Sequence, residues 1–197
     1  MASPGGPAHV MLTDRQAEHI PGCNMAFYKW ALAQVGGFDP IYHRAGDDVD
    51  LCWRLQQAGF KLFIVSNQSG VGRGYFTLAD VEKVNEHLMQ ELGREQVRFE
   101  KIYIAPEAPD APSRGRKPSP QFLLDARDEF DVDLAQSYMI GDKLIDLECG
   151  WNAVVKKCLL VRTGYGAELE RASADKLGAA AVVDDLSAAA EWILAQA

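Results

Sequence analysis

From residue 61 onward, short apolar runs alternate with segments of helical pattern. Each run has three to five residues, and the predicted strands are Lys61–Val65, Lys101–Ala105, Ser137–Ile140, Cys158–Val161 and Ala181–Val183. The clearest helical pattern starts after Thr77, has Asp80 at its third position and ends at Leu92 before Gly93. Strands separated by helices predict an α/β fold with a doubly wound parallel sheet, in which ligands bind at the carboxyl ends of the strands.

The amino-acid composition of the chain limits the kinds of partner that it can bind. The 197-residue chain carries a net charge of −8, which excludes the basic footprint of a nucleic-acid-binding domain. No apolar run reaches the roughly 18 residues that a membrane span needs. The four cysteines, Cys23, Cys52, Cys149 and Cys158, form no C-x-x-C pair, and the first residues lack the order of a signal peptide. These features predict reduced thiols in a cytoplasmic protein without a membrane span.

Three polar clusters fall at predicted strand ends or just before helices. The first is SNQSG at residues 66–70, followed by Arg73; the second is Arg116-Lys117; the third is GDKLID at residues 141–146. Hydroxyls, backbone N–H groups and cationic side chains bind phosphate, and a carboxylate at a strand end is a natural Mg²⁺ ligand. Taken singly, each cluster is equally explained as a solvated turn, a surface basic pair or a helix cap.

In this order, the three clusters resemble the motifs of the haloacid dehalogenase-like (HAD-like) phosphohydrolases. IVSNQSG is similar to the second motif of that family, RKPSP to the third and YMIGDKLIDLECG to the fourth. The words NQSG, RKP and GD-x-x-x-D most resemble the heptose bisphosphate phosphatase and histidinol-phosphatase branch. The resemblance covers about residues 55–197 and implies a Rossmann-like fold.

The resemblance also implies roles for five residues around a substrate phosphate. Ser66 and Asn67 would hold the transferring phosphate, and Lys117 would stabilise its charge. Arg116 and Arg73 would contact the rest of the substrate. The expected ligand is a small phosphorylated metabolite, namely a sugar phosphate such as a heptose bisphosphate.

The same resemblance implies Mg²⁺ as cofactor, bound by Asp142 with Asp146 as support. Heptose bisphosphate phosphatases often carry a zinc loop of Cys and His residues just before the RKP motif. The corresponding segment of this chain, residues 105–115, has neither residue type, so we expect no zinc.

The first family motif is missing from its expected place. Chemistry in this family begins with an Asp nucleophile on the first strand, in a D-x-D pattern whose second Asp transfers protons. Upstream of Ser66, the apolar run HVMLT (residues 9–13) precedes Asp14, but the position two residues later is Gln16. Asp48-Val49-Asp50 has the spacing but lies in a helical pattern. Asp14 is therefore a weak nucleophile candidate, and we expect impaired turnover.

Residues 5–60 resemble a different family. HIPGCNMAFYKWAL, VGGFDP and AGDDVDLCWRLQQAG are similar to the acceptor-side portion of family 2 glycosyltransferases. By that resemblance Asp48 would be the base that deprotonates an acceptor hydroxyl; the alternative is that Asp48 only caps a helix. The predicted organisation is thus a glycosyltransferase-like fragment at 1–60 and a phosphatase domain at 61–197, truncated at its N-terminus.

These observations lead to one main hypothesis and two alternatives. The main hypothesis is a hydrolase of phosphoric monoesters, Mg²⁺-dependent by ancestry, with doubtful catalytic competence. The alternatives are a glycosyltransferase remnant and a non-catalytic phosphate-binding module.

Overall fold

The strands that the structure describes all run parallel to one another. The computed structural model describes Cys52 and residues 54–196. The strands are β1 (Phe63–Asn67), β2 (Lys101–Ala105), β3 (Tyr138–Gly141), β4 (Lys157–Val161) and β5 (Ala181–Val183). β1 pairs with β2, and β4 pairs with both β3 and β5. The predicted α/β class with a parallel sheet is confirmed.

Helices follow the strands in alternation. They are α1 (Ser69–Gly72), α2 (Leu78–Arg94), α3 (Gln121–Phe130), α4 (Leu144–Asn152), α5 (Gly166–Ala172) and α6 (Leu186–Leu194), with 3-10 turns at Leu134–Gln136 and Ala174–Lys176. The predicted cap of α2 is confirmed, since Thr77 and Asp80 form a capping box. The predicted end at Leu92 is wrong by two residues. α2 continues through Gly93, and the left-handed residue is instead Gln96, with a φ of 61°.

Side chains of β4 alternate between two apolar clusters. Leu159 and Val161 pack in a cluster with residues of α2 and α6, whereas Cys158 and Leu160 pack in a second cluster with Leu147 of α4. Because successive side chains of a strand point to opposite faces, helices cover both faces of this sheet. The doubly wound arrangement predicted from the sequence follows from this alternation.

Helix α3 covers one face of the β1–β2 pair. Phe63 of β1 meets Phe130 edge-on, with ring centroids 5.2 Å apart, and Tyr103 of β2 stacks on Phe122 at 5.3 Å. The first contact holds the end of α3 at the start of β1, so the helix runs back along the strands and its start lies toward their carboxyl ends. The loop that precedes α3 carries the RKP segment, so these contacts also place that segment at the strand ends.

The described strands form two sheets rather than one. β1 and β2 make a two-stranded sheet, and β3, β4 and β5 make a three-stranded sheet. Within residues 54–196, no strand joins β1 to β3, and the expected loss of the first strand stays a prediction. The sequence HVMLT, Asp14 and Asp48 lie outside the described residues.

The hydrophobic core extends upstream of residue 61. Cys52 is 3% exposed and Leu55 is 6% exposed, and both belong to the cluster that contains Leu88, Leu92 and Leu159. The helical residues 54–57 end in a turn at Gly59, whose φ of +89° favours glycine. Cys52 and Leu55 therefore pack in the same cluster as residues of the later part of the chain, and the predicted division at 60/61 stays a prediction. No helix in the part of the chain described here is long and apolar enough to cross a bilayer.

Candidate active site

Buried polar side chains concentrate at the carboxyl ends of β1 and β3. Glu91 of α2 is paired with Arg94 away from this region, and all other buried polar side chains of the described residues lie here. They are Ser66, Asn67, Gln68, Lys117, Asp142 and Asp146, each no more than 5% exposed. Polar groups are removed from water in a fold only when they are paired or functional, so this cluster is the candidate active site.

Lys117 lies at the junction between the two sheets. Its Nζ donates to the carbonyl oxygen of Val65 at 2.6 Å and lies 2.8 Å from Oδ1 of Asp146. Because Gln68 N–H bonds to Ala105 of β2, and backbone groups alternate sides along a strand, the carbonyl of Val65 points away from β2. The ammonium group thus binds the edge of β1 that faces away from β2 and, through Asp146, the segment that follows β3.

The backbone of Lys117 is fixed by the side chain of Asn67. Asn67 Nδ2 donates to the carbonyl oxygen of Lys117 at 3.1 Å, and Asn67 Oδ1 accepts from Lys117 N–H at 2.9 Å. Asn67 is the last residue of β1, where it pairs with Ala105. A rigid strand end therefore holds one residue of an otherwise irregular, proline-rich loop.

Further bonds hold the rest of that loop. Asn152 of α4 donates to the carbonyl oxygen of Pro118 at 3.0 Å, and Cys149 Sγ lies 3.2 Å from the carbonyl oxygen of Ser119. Arg116 NH1 donates to the carbonyl oxygen of Glu107 at 3.1 Å, and the Lys117–Pro118 peptide bond is cis. The RKP segment is thus tied to β1, to α4 and to its own loop.

Asp142 has one engaged carboxylate oxygen and one without a partner. Its Oδ2 accepts from the backbone N–H of Tyr165 at 3.0 Å, and its Oδ1 is buried with no hydrogen-bond donor among the described residues. Burial raises the pKa of this carboxyl group, and the neighbouring charge of Asp146 raises the pKa further. The arrangement disfavours a bare negative charge and so favours a bound cation.

Mg²⁺ fits the free oxygen of Asp142. This cation takes hard oxygen ligands and often only one or two carboxylates, completing its shell with water and phosphate oxygens. Within residues 54–196, no group of three or more His, Cys, Asp or Glu side chains could hold a metal ion. Asp142 is accordingly the carboxylate through which this part of the chain would hold Mg²⁺.

The supporting role of Asp146 at the metal stays a prediction. Its Oδ1 lies 2.8 Å from Lys117 Nζ in an ion pair, and its Oδ2 accepts from the backbone N–H of Lys143 at 3.0 Å. In this structure the carboxylate therefore pairs with a cationic side chain. Its position also explains Gly141, since a Cβ there would lie 2.4 Å from Asp146 Cβ.

The NQSG segment forms the second wall of the cluster. Ser66 and Gln68 are buried, and Gln68 Nε2 donates to Ser66 Oγ at 3.1 Å. After β1 the chain turns directly into the short helix α1, where Gly72 N–H bonds to the carbonyl oxygen of Pro106 at 2.8 Å. A Cβ on Gly72 would lie 2.2 Å from Ala108 N, so the loop approach requires glycine.

The two predicted substrate-contacting arginines lie outside this buried cluster. Arg73 is exposed, and no side-chain contact joins it to the cluster among the described residues. Arg116 is partly exposed and directs one guanidinium nitrogen to its own loop. The structure brings Ser66, Asn67, Lys117, Asp142 and Asp146 together, while Asp14 and Asp48 belong to the part of the chain outside the description.

Two contributors to the site were not predicted from sequence. Tyr165 supplies the backbone N–H that Asp142 accepts, and Gly164 brings the backbone close enough to do so. Gly164 has a φ of +64°, and a Cβ on it would lie 2.2 Å from Asp142 Oδ2. The signal available was the T-G-Y-G run after the fourth predicted strand, at the same sheet edge as the other clusters.

Comparison with known proteins adds a family to this geometry. The HAD-hydrolase-like family profile matches residues 115–189. The D-glycero-D-manno-heptose-1,7-bisphosphate 7-phosphatase of Chlorobaculum tepidum is 42% identical over 125 residues, which is 57% of this chain and 62% of that protein. The chain thus spans less than two thirds of that relative's length.

Two further comparisons cover more of their counterparts. The D-glycero-beta-D-manno-heptose-1,7-bisphosphate 7-phosphatase of Yersinia pestis is 34% identical over 153 residues, covering 74% of this chain and 73% of that protein. The crystal structure of the D,D-heptose 1,7-bisphosphate phosphatase from B. bronchiseptica, complexed with magnesium and phosphate, matches with a TM-score of 0.69 and 31% identity. That alignment covers 76% of this chain and 82% of the other.

Proposed function

The chain belongs to the HAD-like hydrolases, with heptose-1,7-bisphosphate phosphatases among its homologues, and we propose that it binds the phosphate group of a sugar phosphate together with Mg²⁺ and hydrolyses it with impaired turnover. The observation that supports this proposal is the placement of Lys117 and Asp142. A buried ammonium and a buried carboxylate oxygen with no donor lie at the carboxyl ends of β1 and β3.

The binding chemistry follows from the charges of the cluster. Lys117 offers a cation to the phosphate oxygens, held in place by Val65 and Asp146 rather than by solvent. An ammonium that is oriented before the ligand arrives loses little entropy on binding and acts in a site of low dielectric constant. Ser66 is the residue of β1 that would hold a phosphate oxygen, since it follows Val65, whose carbonyl oxygen accepts from this ammonium.

Asp142 gives the site its affinity for a divalent cation. Bound Mg²⁺ would offset the repulsion between carboxylate and phosphate and polarise the phosphoryl oxygens. The chain contributes the free Oδ1, the backbone N–H of Tyr165 that fixes the carboxylate, and the burial that excludes water around it. The substrate class, a sugar bisphosphate of the heptose type, is inferred from what the relatives act on.

Impaired turnover follows from the residues before β1. The family reaction needs an Asp nucleophile and a second Asp two residues later that moves the proton. Asp14 is followed by Gln16 at that position, and an amide cannot accept and return a proton as a carboxylate does. Binding without efficient phosphoryl transfer is the expected behaviour.

The decisive experiment measures binding and turnover on the same preparation. Isothermal titration with inorganic phosphate in excess MgCl₂ should show binding that Lys117→Met weakens by about tenfold or more. Release of phosphate from D-glycero-D-manno-heptose-1,7-bisphosphate should be slow or undetectable. The matched control is Lys101→Met, which makes the same change at an exposed ion pair.

Each outcome has a separate meaning. Absence of phosphate binding in the folded wild-type chain would refute the proposal. Fast turnover that Asp14→Asn abolishes would refute the impairment and identify Asp14 as the nucleophile. Binding with no turnover would identify a phosphate-binding module without catalysis.

Two other predictions remain beside this proposal. The glycosyltransferase-like fragment predicted at 5–60 lies almost entirely before the described residues, and nucleotide-sugar binding by the full chain would test it. The cytoplasmic location is likewise a prediction, which cell fractionation would test.

A further inference from the structure

Asn67 has both of its polar side-chain atoms bonded to one residue fifty positions away. Oδ1 accepts from Lys117 N–H at 2.9 Å, and Nδ2 donates to the Lys117 carbonyl oxygen at 3.1 Å. The side chain is 4% exposed. This pair of bonds copies the pattern by which a neighbouring strand would hold a residue of a sheet.

The amide group of Asn67 is suited to bonding both backbone groups of Lys117. One atom must accept and the other must donate, and among side chains of this length only an asparagine amide does both. A carboxylate would keep the bond to Lys117 N–H but would turn an acceptor toward an acceptor at the carbonyl. An alanine would leave both buried backbone groups of Lys117 unbonded.

The two bonds from Asn67 also affect where the Lys117 ammonium lies. Lys117 lies in a loop with prolines at positions 106, 109, 112, 118 and 120, which has no regular backbone bonding of its own. The Nζ must meet Val65 O and Asp146 Oδ1 simultaneously, at 2.6 and 2.8 Å. Because Asn67 fixes the backbone of Lys117, only the side-chain torsion angles of Lys117 remain to be set for the ammonium to reach both partners.

We propose that Asn67 is a positioning residue for Lys117: its amide fixes the Lys117 backbone and thereby places the ammonium, and it contributes to phosphate affinity through Lys117 rather than through its own contact. This inference rests on the proposed function and revises the phosphate-holding role expected for Asn67 from its motif.

A double-mutant cycle separates the two roles. Isothermal titration with inorganic phosphate and MgCl₂ is performed on wild type, Asn67→Asp, Lys117→Met and the double variant. Asn67→Asp should weaken phosphate binding by about tenfold or more, the size of one lost charge-assisted contact. In the Lys117→Met background the same change should have a clearly smaller effect, limited to the repulsion between the new carboxylate and phosphate, because the group it positions is gone. An undiminished loss in that background would overturn the proposal.

A spectroscopic readout tests the placement without any ligand. The ¹⁵Nζ resonance of Lys117, and its protection from hydrogen exchange, report an ammonium held by two acceptors. Both should move toward the values of an exposed lysine in Asn67→Asp. An unchanged resonance would contradict the proposal. Failure of wild type to bind phosphate would refute the proposed function while leaving this readout decisive for Asn67.

Asn152→Ala is the matched control. Asn152 also donates its side-chain amide to this loop, at the carbonyl oxygen of Pro118, but is exposed and does not touch Lys117. Because Asn152 makes only a surface hydrogen bond, the phosphate affinity of Asn152→Ala should stay within about twofold of wild type. The Lys117 resonance of this variant should be the same as that of wild type within error. An effect equal to that of Asn67→Asp would show that general loosening of the loop is responsible. Asn67→Ser, which keeps an acceptor and a donor on one atom, should retain intermediate affinity and serves if the Asp variant does not fold.

Discussion

Oδ1 of Asp146 lies 2.8 Å from Nζ of Lys117, and each of these two side chains is only 1% exposed. The second oxygen of the carboxylate bonds to Lys143 N–H, and the ammonium also bonds to Val65 O. An ion pair so far from water is held by its partners, and removing one of them leaves the other charge buried alone.

Replacing Lys117 by Met should therefore destabilise the fold. We expect a loss of about 3–5 kcal/mol in the free energy of unfolding, the usual cost of breaking a buried pair. Adding Asp146→Leu should recover part of this loss, because the unpaired carboxylate is then absent. Urea unfolding followed by circular dichroism measures both. Lys101→Met, at the exposed pair with Glu129, should cost no more than about 1 kcal/mol. Equal losses in the two single variants would contradict the assignment.

Gly141→Ala should disturb Asp146 directly. The added Cβ would lie 2.4 Å from Asp146 Cβ and 2.6 Å from its Oδ2, and Asp146 has no open space to move into. Overpacking of this kind costs about 1–3 kcal/mol. Gly93→Ala is the control with the opposite sign, since nothing lies within 4 Å of its Cβ and it sits inside α2. That variant should gain roughly 0.5–1 kcal/mol from helix propensity. Thermal unfolding of the two variants side by side distinguishes the cases.

Asp142→Asn should remove the stabilisation that Mg²⁺ confers. A ligand that binds only the folded chain raises its stability by RT ln(1 + [L]/Kd), so the melting temperature of wild type should rise with MgCl₂. The amide should remove this response. Without Mg²⁺ the variant should be at least as stable as wild type, because it no longer buries a carboxylate whose free oxygen has no donor. Asp128→Asn, on the exposed surface of α3, should keep the response. A Mg²⁺ shift that persists in Asp142→Asn would exclude Asp142 as ligand.

Two cysteines should resist alkylation in the folded chain. Burial raises the pKa of the Cys149 thiol to about 12 and that of Cys158 to about 11, so at pH 8 both stay protonated and inert. Iodoacetamide followed by peptide mass spectrometry should find both unmodified in buffer and modified in 8 M urea, a concentration well beyond the unfolding midpoint of a typical small domain. Rapid modification of Cys149 under native conditions would show that the loop at Ser119, which it contacts, opens readily.

The sequence predicts the number and order of the described strands more accurately than it predicts where some of them begin and end. β2 and β5 agree residue for residue with prediction, because charged or small residues border their apolar runs. β1 is displaced from the predicted Lys61–Val65 to Phe63–Asn67. The polar side chains of Ser66 and Asn67 favoured a loop, but both residues pair with β2, at Ile104 and Ala105. Strand pairing uses backbone groups and does not depend on the polarity of the side chains.

Part of the site was accessible to sequence reasoning because of a topological rule. Residues at the carboxyl ends of parallel strands lie on the same side of the fold, and there Lys117 contacts both Val65 and Asp146. The sequence does not indicate which side chains of the site contact each other. Asn67 and Lys117 are fifty positions apart, and their reciprocal bonds leave no periodic or local mark. Both oxygens of Asp146 are likewise assigned only once Lys117 and Lys143 are placed.

The Lys117 ammonium bonds to Val65 of the two-stranded sheet and pairs with Asp146 of α4, the helix that follows β3 of the three-stranded sheet. An ammonium has three N–H donors, so one remains for an anion while the other two keep these partners. A bound anion would therefore add a third attachment at the nitrogen that already connects the two sheets, and ligand binding should strengthen that connection.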